Sequence, residues 1–313
     1  MAEMMKAVLL NGYGGLDQLT EAKVERPVAA DGEVLIQIKA CGVNPIDFKT
    51  RTGGGANRGW PEGSLPAIIG WDISGVVVES RSDKFAVGDE VYTMARFPAP
   101  GGGYAEYAAV PADEVAAKPK SVDHVTAAAV PLAALTAWQA LIDNAKIQSG
   151  QIVLVHAAAG GVGHFAVQIA RAKGCEVIGT ASGRNEEFVR DLGVDQFIDY
   201  TKGPFEALAR NVDVVFHMIA ADLRPKSWQT LKPGGTLISI TGPVPAEEAA
   251  ENDGTGIFIG VRPSGAQLAE IAEMIDAGTI KPSVEATYSL SDVAKSHAHL
   301  EAGHTRGKVV IEI

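Results

Sequence analysis

Val153-Leu-Val-His-Ala-Ala-Ala-Gly-Gly-Val-Gly163 decides how the rest of the chain is read. An apolar strand enters a tight turn of small residues, and the turn opens a helix of amphipathic period from Val162 to Lys173. Ala158, Gly160 and Gly163 stand where a dinucleotide fingerprint places its three glycines, with alanine at the first, and Gly161 and Val162 complete the turn. Side-chain bulk is excluded at such a turn because the backbone must touch a pyrophosphate. The charge of that group is favoured by the free N–H groups of a helix N-terminus. Outside this setting, the same residues would be only a Gly-rich link between strand and helix.

The surroundings supply the setting. From about Asp123, apolar runs alternate with segments of helical period, the pattern of a parallel sheet covered on both faces. The runs are Gln151 to Ala157, Glu176 to Ala181, Gln196 to Tyr200, Asp213 to Met218, Thr236 to Ile240 and Ile257 to Val261. Six strands in series predict a doubly wound Rossmann sheet, with Asn185 to Leu192 and Gly265 to Ala277 among its helices. Before this region the grammar differs. Short β-branched runs broken by Gly, Pro, Asn and Asp (Lys6 to Leu10, Glu33 to Cys41, Ile73 to Glu79, Glu90 to Met94, Tyr104 to Val110) predict a mostly antiparallel β domain. Lys308 to Ile313 returns to a strand signature after a short helix around Leu290 to Ala302. The expected organisation is therefore α/β, with residues 1–122 and 283–313 in the β domain and 123–282 in the dinucleotide-binding domain. The Gly-rich loop Thr52 to Leu65 has two readings, the border of a site or a surface excursion.

Which dinucleotide binds is decided about 20 residues beyond the turn, where an NAD-binding chain carries a carboxylate for the ribose 2′-hydroxyl. Here the second strand ends Gly179-Thr-Ala-Ser-Gly-Arg184, with no carboxylate in the run. Ser182 offers a hydrogen bond and Arg184 a forked charged contact to a 2′-phosphate, which favours NADPH. Ser182 as a helix cap and Arg184 as a solvated charge is the plainer reading, and it is compatible with the first.

Composition narrows the partners. The 313 residues are 46% hydrophobic, enough for two cores, and 38 acidic against 27 basic residues give a formal net charge of −11. That charge disfavours nucleic acid and anionic membranes. Two cysteines, Cys41 and Cys175, are too few for a disulfide framework or a cysteine zinc cage, and a reducing, cytoplasmic setting is expected. No stretch approaches the ~20 apolar residues of a membrane helix.

With these motifs in place, the sequence resembles the zinc-independent quinone oxidoreductase branch of the medium-chain dehydrogenases/reductases. The resemblance is carried along almost the whole chain by Cys41-Gly-Val-Asn-Pro-Ile-Asp-Phe-Lys49, Gly70-Trp-Asp-Ile-Ser-Gly-Val-Val77, Val87-Gly-Asp-Glu-Val91, Gly103-Tyr-Ala-Glu-Tyr107, Leu231-Lys-Pro-Gly-Gly235 and Gly307-Lys-Val-Val310, together with the glycine turn. It implies a GroES-like first domain. In zinc-dependent relatives a cysteine ligand would sit at Asn44 and a histidine ligand at Trp71, and the four-cysteine structural zinc lobe has no counterpart. His297, His299 and His304 are spaced as surface histidines rather than ligands, so no metal is expected.

The resemblance further implies that Asn44 lies near the nicotinamide and the reacting carbonyl, with Phe48 and Lys49 along the pocket wall. Their plainer readings are a turn residue before Pro45, a core aromatic and a surface lysine. In Ala129-Val-Pro-Leu-Ala-Ala-Leu-Thr-Ala-Trp138, Thr136 matches a position that approaches the nicotinamide. Tyr200 matches a contact of the 2′-phosphate region, and Gly242 and Lys308 match positions near the cofactor; a sheet-end aromatic, a turn glycine and a strand lysine are the alternatives. One departure stands out. After the fourth strand the family reads Asp-Thr-Val-Gly, whereas this chain reads His217-Met-Ile-Ala220, and His217 is either a general acid near the ribose or, as favoured here, a packed histidine.

Lacking a Lewis acid, such a site suits reduction of an electron-poor conjugated carbonyl, a quinone or enone, by hydride from NADPH. An alkenal or enoyl-thioester reductase is the alternative within enzymes. A non-catalytic NADPH-binding regulatory protein is the alternative of another class. The resemblance also implies a homodimer paired along the sheet edge near Gly256 to Val261.

Overall fold

The computed structural model describes residues 3–313. Its strands run β1 (Met4–Leu10), β2 (Leu19–Glu25), β3 (Glu33–Val43), β4 (Asp72–Ser80), β5 (Glu90–Met94), β6 (Tyr107–Pro111) and β7 (Val115–Ala117), then β8 (Ile152–Val155), β9 (Glu176–Ala181), β10 (Gln196–Asp199), β11 (Val212–His217), β12 (Leu231–Ser239) and β13 (Thr255–Phe258), and finally β14 (Val284–Ser289) and β15 (Lys308–Glu312). The chain divides into two units. The first holds the residues up to Leu135 and Arg262–Ile313, and the second is Thr136–Val261.

In the first unit β1 and β2 pair antiparallel, and a larger sheet has the order β14-β15-β3-β4-β5-β7 with β6 also on β3. All its pairings are antiparallel except β14 with β15. This is the mostly antiparallel β domain that the sequence predicts. The β-branched side chains of β3 and β4 supply its core, where Val34, Ile36, Ile38, Ile73 and Val77 pack with Val91 and Val110. Each fully buried aliphatic of this kind contributes about 1.5–3 kcal/mol by leaving water.

The second unit is a six-stranded parallel sheet in the order β10-β9-β8-β11-β12-β13. Its inner strands are buried nearly end to end, as a sheet covered on both faces requires. Leu154, Ile178, Ile198, Phe205, Val215, Trp228 and Leu237 form its core. The doubly wound reading of the sequence is correct, although β12 begins earlier than expected, at Leu231, and β13 begins at Thr255.

The unit boundaries differ from the expected ones. Helix His124–Ala128 and helix Gly265–Asp276, read from sequence as parts of the dinucleotide domain, belong to the first unit. The hydrogen bonds explain the second case. Tyr92 Oη donates to Leu268 O (2.5 Å), Ser121 N donates to Asp276 Oδ1 (2.8 Å), and a Cβ at Gly265 would overlap the Val115 carbonyl oxygen. Gly265–Asp276 follows the last parallel strand, so it is not a crossover. Among the described residues, no helix is long and apolar enough to cross a membrane.

Candidate functional site

In the second unit the turn after β8 is shaped by backbone contacts. Ala157 takes a left-handed conformation (φ 46°), which is costly for a residue with a Cβ and redirects the chain sharply toward the helix. Ala158 N donates to Thr180 O (2.9 Å) and Gly160 N to Ala157 O (2.8 Å), tying the turn to β9. A Cβ at Gly163 would overlap the Ala157 carbonyl oxygen, and one at Gly160 would lie 3.2 Å from the same atom. Ala158 is accommodated at the first fingerprint position because its methyl group faces Gly179, where an added Cβ would come within 3.1 Å of it. Val162 precedes helix Gly163–Ala172, where His164 N donates to Gly160 O (3.0 Å) and Ala166 N to Val162 O (3.0 Å), so the turn runs directly into the first helical bonds. Gly160, Gly161 and Gly163 present bare backbone, with His164 Nδ1 2.9 Å from Gly160 O, and the residues fit a pyrophosphate.

Beside the turn a cavity of about 320 Å3 opens, walled by Ala157, Tyr200, Phe205, Ile219 and Leu223, with His156, Thr180, Glu206 and Lys226 as its polar lining. Ser182 and Arg184 follow β9 directly. Ser182 makes no side-chain cap bond; its hydroxyl accepts from Asn185 Nδ2 (3.2 Å), so the capping role considered from sequence falls to its backbone carbonyl, which accepts from Asn185 N (2.9 Å). Tyr200, half-exposed, lies alongside because β10 pairs in register with β9, Asp199 opposite Ala181. Gly242 stands in open space in the loop after β12, and Thr136 is buried on helix Pro131–Trp138.

Two histidines stand at the C-terminal ends of the two central strands, His156 just after β8 and His217 at the end of β11. His156 Nδ1 is 3.1 Å from Thr180 Oγ1, His156 Nε2 is 3.0 Å from Ser227 Oγ, and Ser227 Oγ is 3.1 Å from His217 Nδ1. A single hydroxyl proton serves one imidazole only, so the other ring must present its N–H to Ser227. Burial, and then the other histidine, pushes His156 down to about 3; burial, and then Arg224, pushes His217 down to about 4. Both rings are neutral at pH 7. His217 is thus a buried strand-end residue with a defined hydrogen-bond partner.

In the first unit Asn44, Asp72 and Lys308 form a buried cluster. Asp72 Oδ1 accepts from Leu132 N (2.7 Å), and Oδ2 accepts from Asn44 Nδ2 (2.9 Å) and lies 3.3 Å from Lys308 Nζ. Lys308 also donates to Asn44 Oδ1. The amide of Asn44 is therefore held at both ends, and the Lys308 ammonium, placed near the cofactor by the resemblance, is directed to Asn44 and Asp72. Burial raises the Asp72 carboxyl and the Lys308 charge opposes that rise. Trp71, buried, donates Nε1–H to Ala99 O (2.7 Å).

Asn44 N donates to Asp47 Oδ2 (2.7 Å) at the start of helix Pro45–Arg51, and Tyr104 Oη lies 2.9 Å from Asp47 Oδ1. Tyr104 Oη is also 3.1 Å from His297 Nε2. His297 is not the surface residue expected from its spacing: it is buried on the inner side of helix Val293–Glu301, with Tyr104 as its partner. Phe48 is half-buried and Lys49 exposed on helix Pro45–Arg51. Sequence reasoning missed Asp47, Tyr104, Ser227 and Asp199, each of which meets at least one residue that only the fold brings to it: Tyr104, His297, His156 and Gly183 respectively. The lysine that opens the apolar run of β15 was the one available signal, since a buried ammonium demands a buried partner. Among the described residues, no group of three or more His, Cys, Asp or Glu has metal-holding geometry.

Comparison with known proteins agrees with this architecture. Residues 30–120 match the alcohol dehydrogenase GroES-like domain, and residues 192–311 match a family described as zinc-binding dehydrogenase. The chain is 33% identical to the mitochondrial NAD(P)H oxidoreductase RTN4IP1 of Danio rerio, over 99% of this chain and 92% of that protein. It is 35% identical to the chloroplastic NADPH-dependent alkenal/one oxidoreductase of Arabidopsis thaliana, over 98% of this chain and 79% of that protein. Among solved structures, the quinone oxidoreductase from Coxiella burnetii superposes with a TM-score of 0.89 at 32% identity, covering 99% of this chain and 100% of the other. The chain belongs to the zinc-independent quinone oxidoreductase branch of the medium-chain dehydrogenase/reductase superfamily.

Proposed function

We propose that this chain is an NADPH-dependent reductase of quinones and related conjugated carbonyls, working without zinc. The observation that carries the reading is the glycine turn at Gly160 and Gly163, where a Cβ would crowd the Ala157 carbonyl oxygen, beside a cavity lined in part by Tyr200. Backbone N–H groups at the start of helix Gly163–Ala172 bind the pyrophosphate, and Ser182 and Arg184 bind the 2′-phosphate. Bound NADPH supplies the hydride.

Asn44 is assigned to the substrate oxygen as a hydrogen-bond donor. Lys308 and Asp72 fix the rotation of its amide, so one N–H goes to Asp72 and the other is pre-oriented for charge developing on that oxygen. Phe48 and Lys49, on the helix that Asn44 begins, are assigned to the substrate pocket wall, and Thr136 and Gly242 to the nicotinamide half of the cofactor. Solvent supplies the final proton. Trp71 and Asn44, both tied to internal partners, stand at two positions where zinc-dependent relatives place ligands, which supports chemistry by positioning rather than by a Lewis acid. We also assign a cytoplasmic location and a homodimer paired through β13, an edge strand whose Phe258 is exposed.

An alkenal reductase is the second reading, favoured by the similarity to the Arabidopsis protein. A panel of quinones, alkenals and enoyl thioesters with NADPH separates the two by relative kcat/KM. Quinones are expected to lead. NADPH binding without turnover on any of them would instead leave a binding protein.

A further inference from the structure

Gly183, between Ser182 and Arg184, has no room for a side chain: an added Cβ would overlap Asp199 Oδ2. A carboxylate absent from the local sequence of this turn is therefore planted against it by the neighbouring strand, through the parallel pairing of Asp199 with Ala181 and the Tyr200 N to Ala181 O bond (3.3 Å). Asp199 also folds its own turn. Its Oδ1 accepts from Thr201 N (3.0 Å) and Thr201 Oγ1 (2.7 Å), and its Oδ2 lies 3.5 Å from Lys202 Nζ. Those contacts, led by the Thr201 hydroxyl, hold the carboxyl below its usual range, so it is ionised at neutral pH.

The charge count at this corner then decides what it can bind. Asp199 offsets Arg184, and Arg190 is paired with Glu186, so the turn by itself offers little attraction to a phosphate that carries close to two negative charges. Lys202 adds a positive charge on the Asp199 side of the turn. Its side chain is 76% exposed, so its ammonium is free to lean from Asp199 toward a ligand over the turn.

We propose that Lys202 is a second cationic ligand of the adenosine 2′-phosphate, positioned beside the Ser182–Arg184 turn by Asp199. The inference rests on the NADPH reading above and adds a determinant of specificity for it. Asp199 is the positioning residue: it holds Lys202 close in the free protein and releases it to the stronger dianion.

The test is equilibrium binding to the full chain, followed by tryptophan fluorescence or calorimetry, with NADPH, NADH, and the fragments 2′,5′-ADP and 5′-AMP as probes. Lys202→Met is expected to lower the preference for NADPH over NADH, and for 2′,5′-ADP over 5′-AMP, by roughly 5- to 10-fold at low salt. Lys202→Arg is expected to keep most of it. The difference should shrink as ionic strength rises, because the site is open to solvent. Unchanged preferences in Lys202→Met, with wild type still favouring the phosphorylated ligands, would overturn this inference alone. Wild type that binds NADH as tightly as NADPH would overturn the NADPH reading and this inference with it.

Discussion

The Lys308 ammonium lies 3.3 Å from Asp72 Oδ2, with the two side chains 3% and 0% exposed. Removing one member of a buried pair strands the other, at a cost of about 3–5 kcal/mol. Lys308→Met should therefore unfold at markedly lower urea concentration than wild type. Lys308 opposes the burial-driven rise of the Asp72 carboxyl, so its removal lets that carboxyl rise further; a raised folded-state pKa means that stability is lost as pH climbs, and the penalty should be larger at pH 8 than at pH 5. The double variant Lys308→Met/Asp72→Asn should recover part of the loss. Equal penalties at both pH values would show that the pair is not the cause.

Asp47 gives a second pH effect of known sign. Burial pushes its carboxyl up to about 7, against the hydrogen bonds from Tyr104 and from Asn44 N. The folded state then binds a proton that the unfolded state has released above about pH 4, so this residue's contribution to stability falls as pH rises from about 4 through about 7. Asp47→Asn should remove that fall, on the order of 3 kcal/mol, from the wild-type-minus-variant difference in chemical denaturation across this range.

The imidazoles of the second unit act in the opposite direction. With folded-state values of about 3 for His156 and about 4 for His217, below their ordinary 6.5, both stabilise the neutral protein and lose that contribution as pH falls from about 6.5 toward those values. Ser227 bridges them. Ser227→Ala leaves two buried ring nitrogens without a partner and should cost about 1–3 kcal/mol at pH 7, measured by urea denaturation. A change under ~0.5 kcal/mol would mean that the bridge contributes little.

Strand β13 lies at the edge of its sheet with Phe258 49% exposed. Light scattering should report about twice the 32.7 kDa chain mass, and Phe258→Glu should shift the population toward monomer. A wild-type monomer at micromolar concentration would remove the dimer from the account.

Much of this was legible in the sequence, and what was not has an identifiable cause. The Val153–Gly163 turn and the six strands could be read because their signals are local: small residues where backbone must pass, and apolar runs of strand length. The amphipathic period of Gly265–Asp276 showed a helix but not its destination, since a period names the apolar face and not the surface it covers. Lys308 was legible as important but not in its role; its partners Asp72 and Asn44 are 236 and 264 residues away. Asp199 was missed because only strand register carries it to Gly183, and His297 was misjudged because spacing along a helix does not reveal Tyr104 beneath it.

Whether the chain reduces quinones without metal is decided by turnover of NADPH with a quinone by protein dialysed exhaustively against a strong chelator, with zinc measured in the same sample. Undiminished kcat is expected, with far less than one zinc per chain. Activity that disappears on chelation and returns with stoichiometric zinc would contradict it.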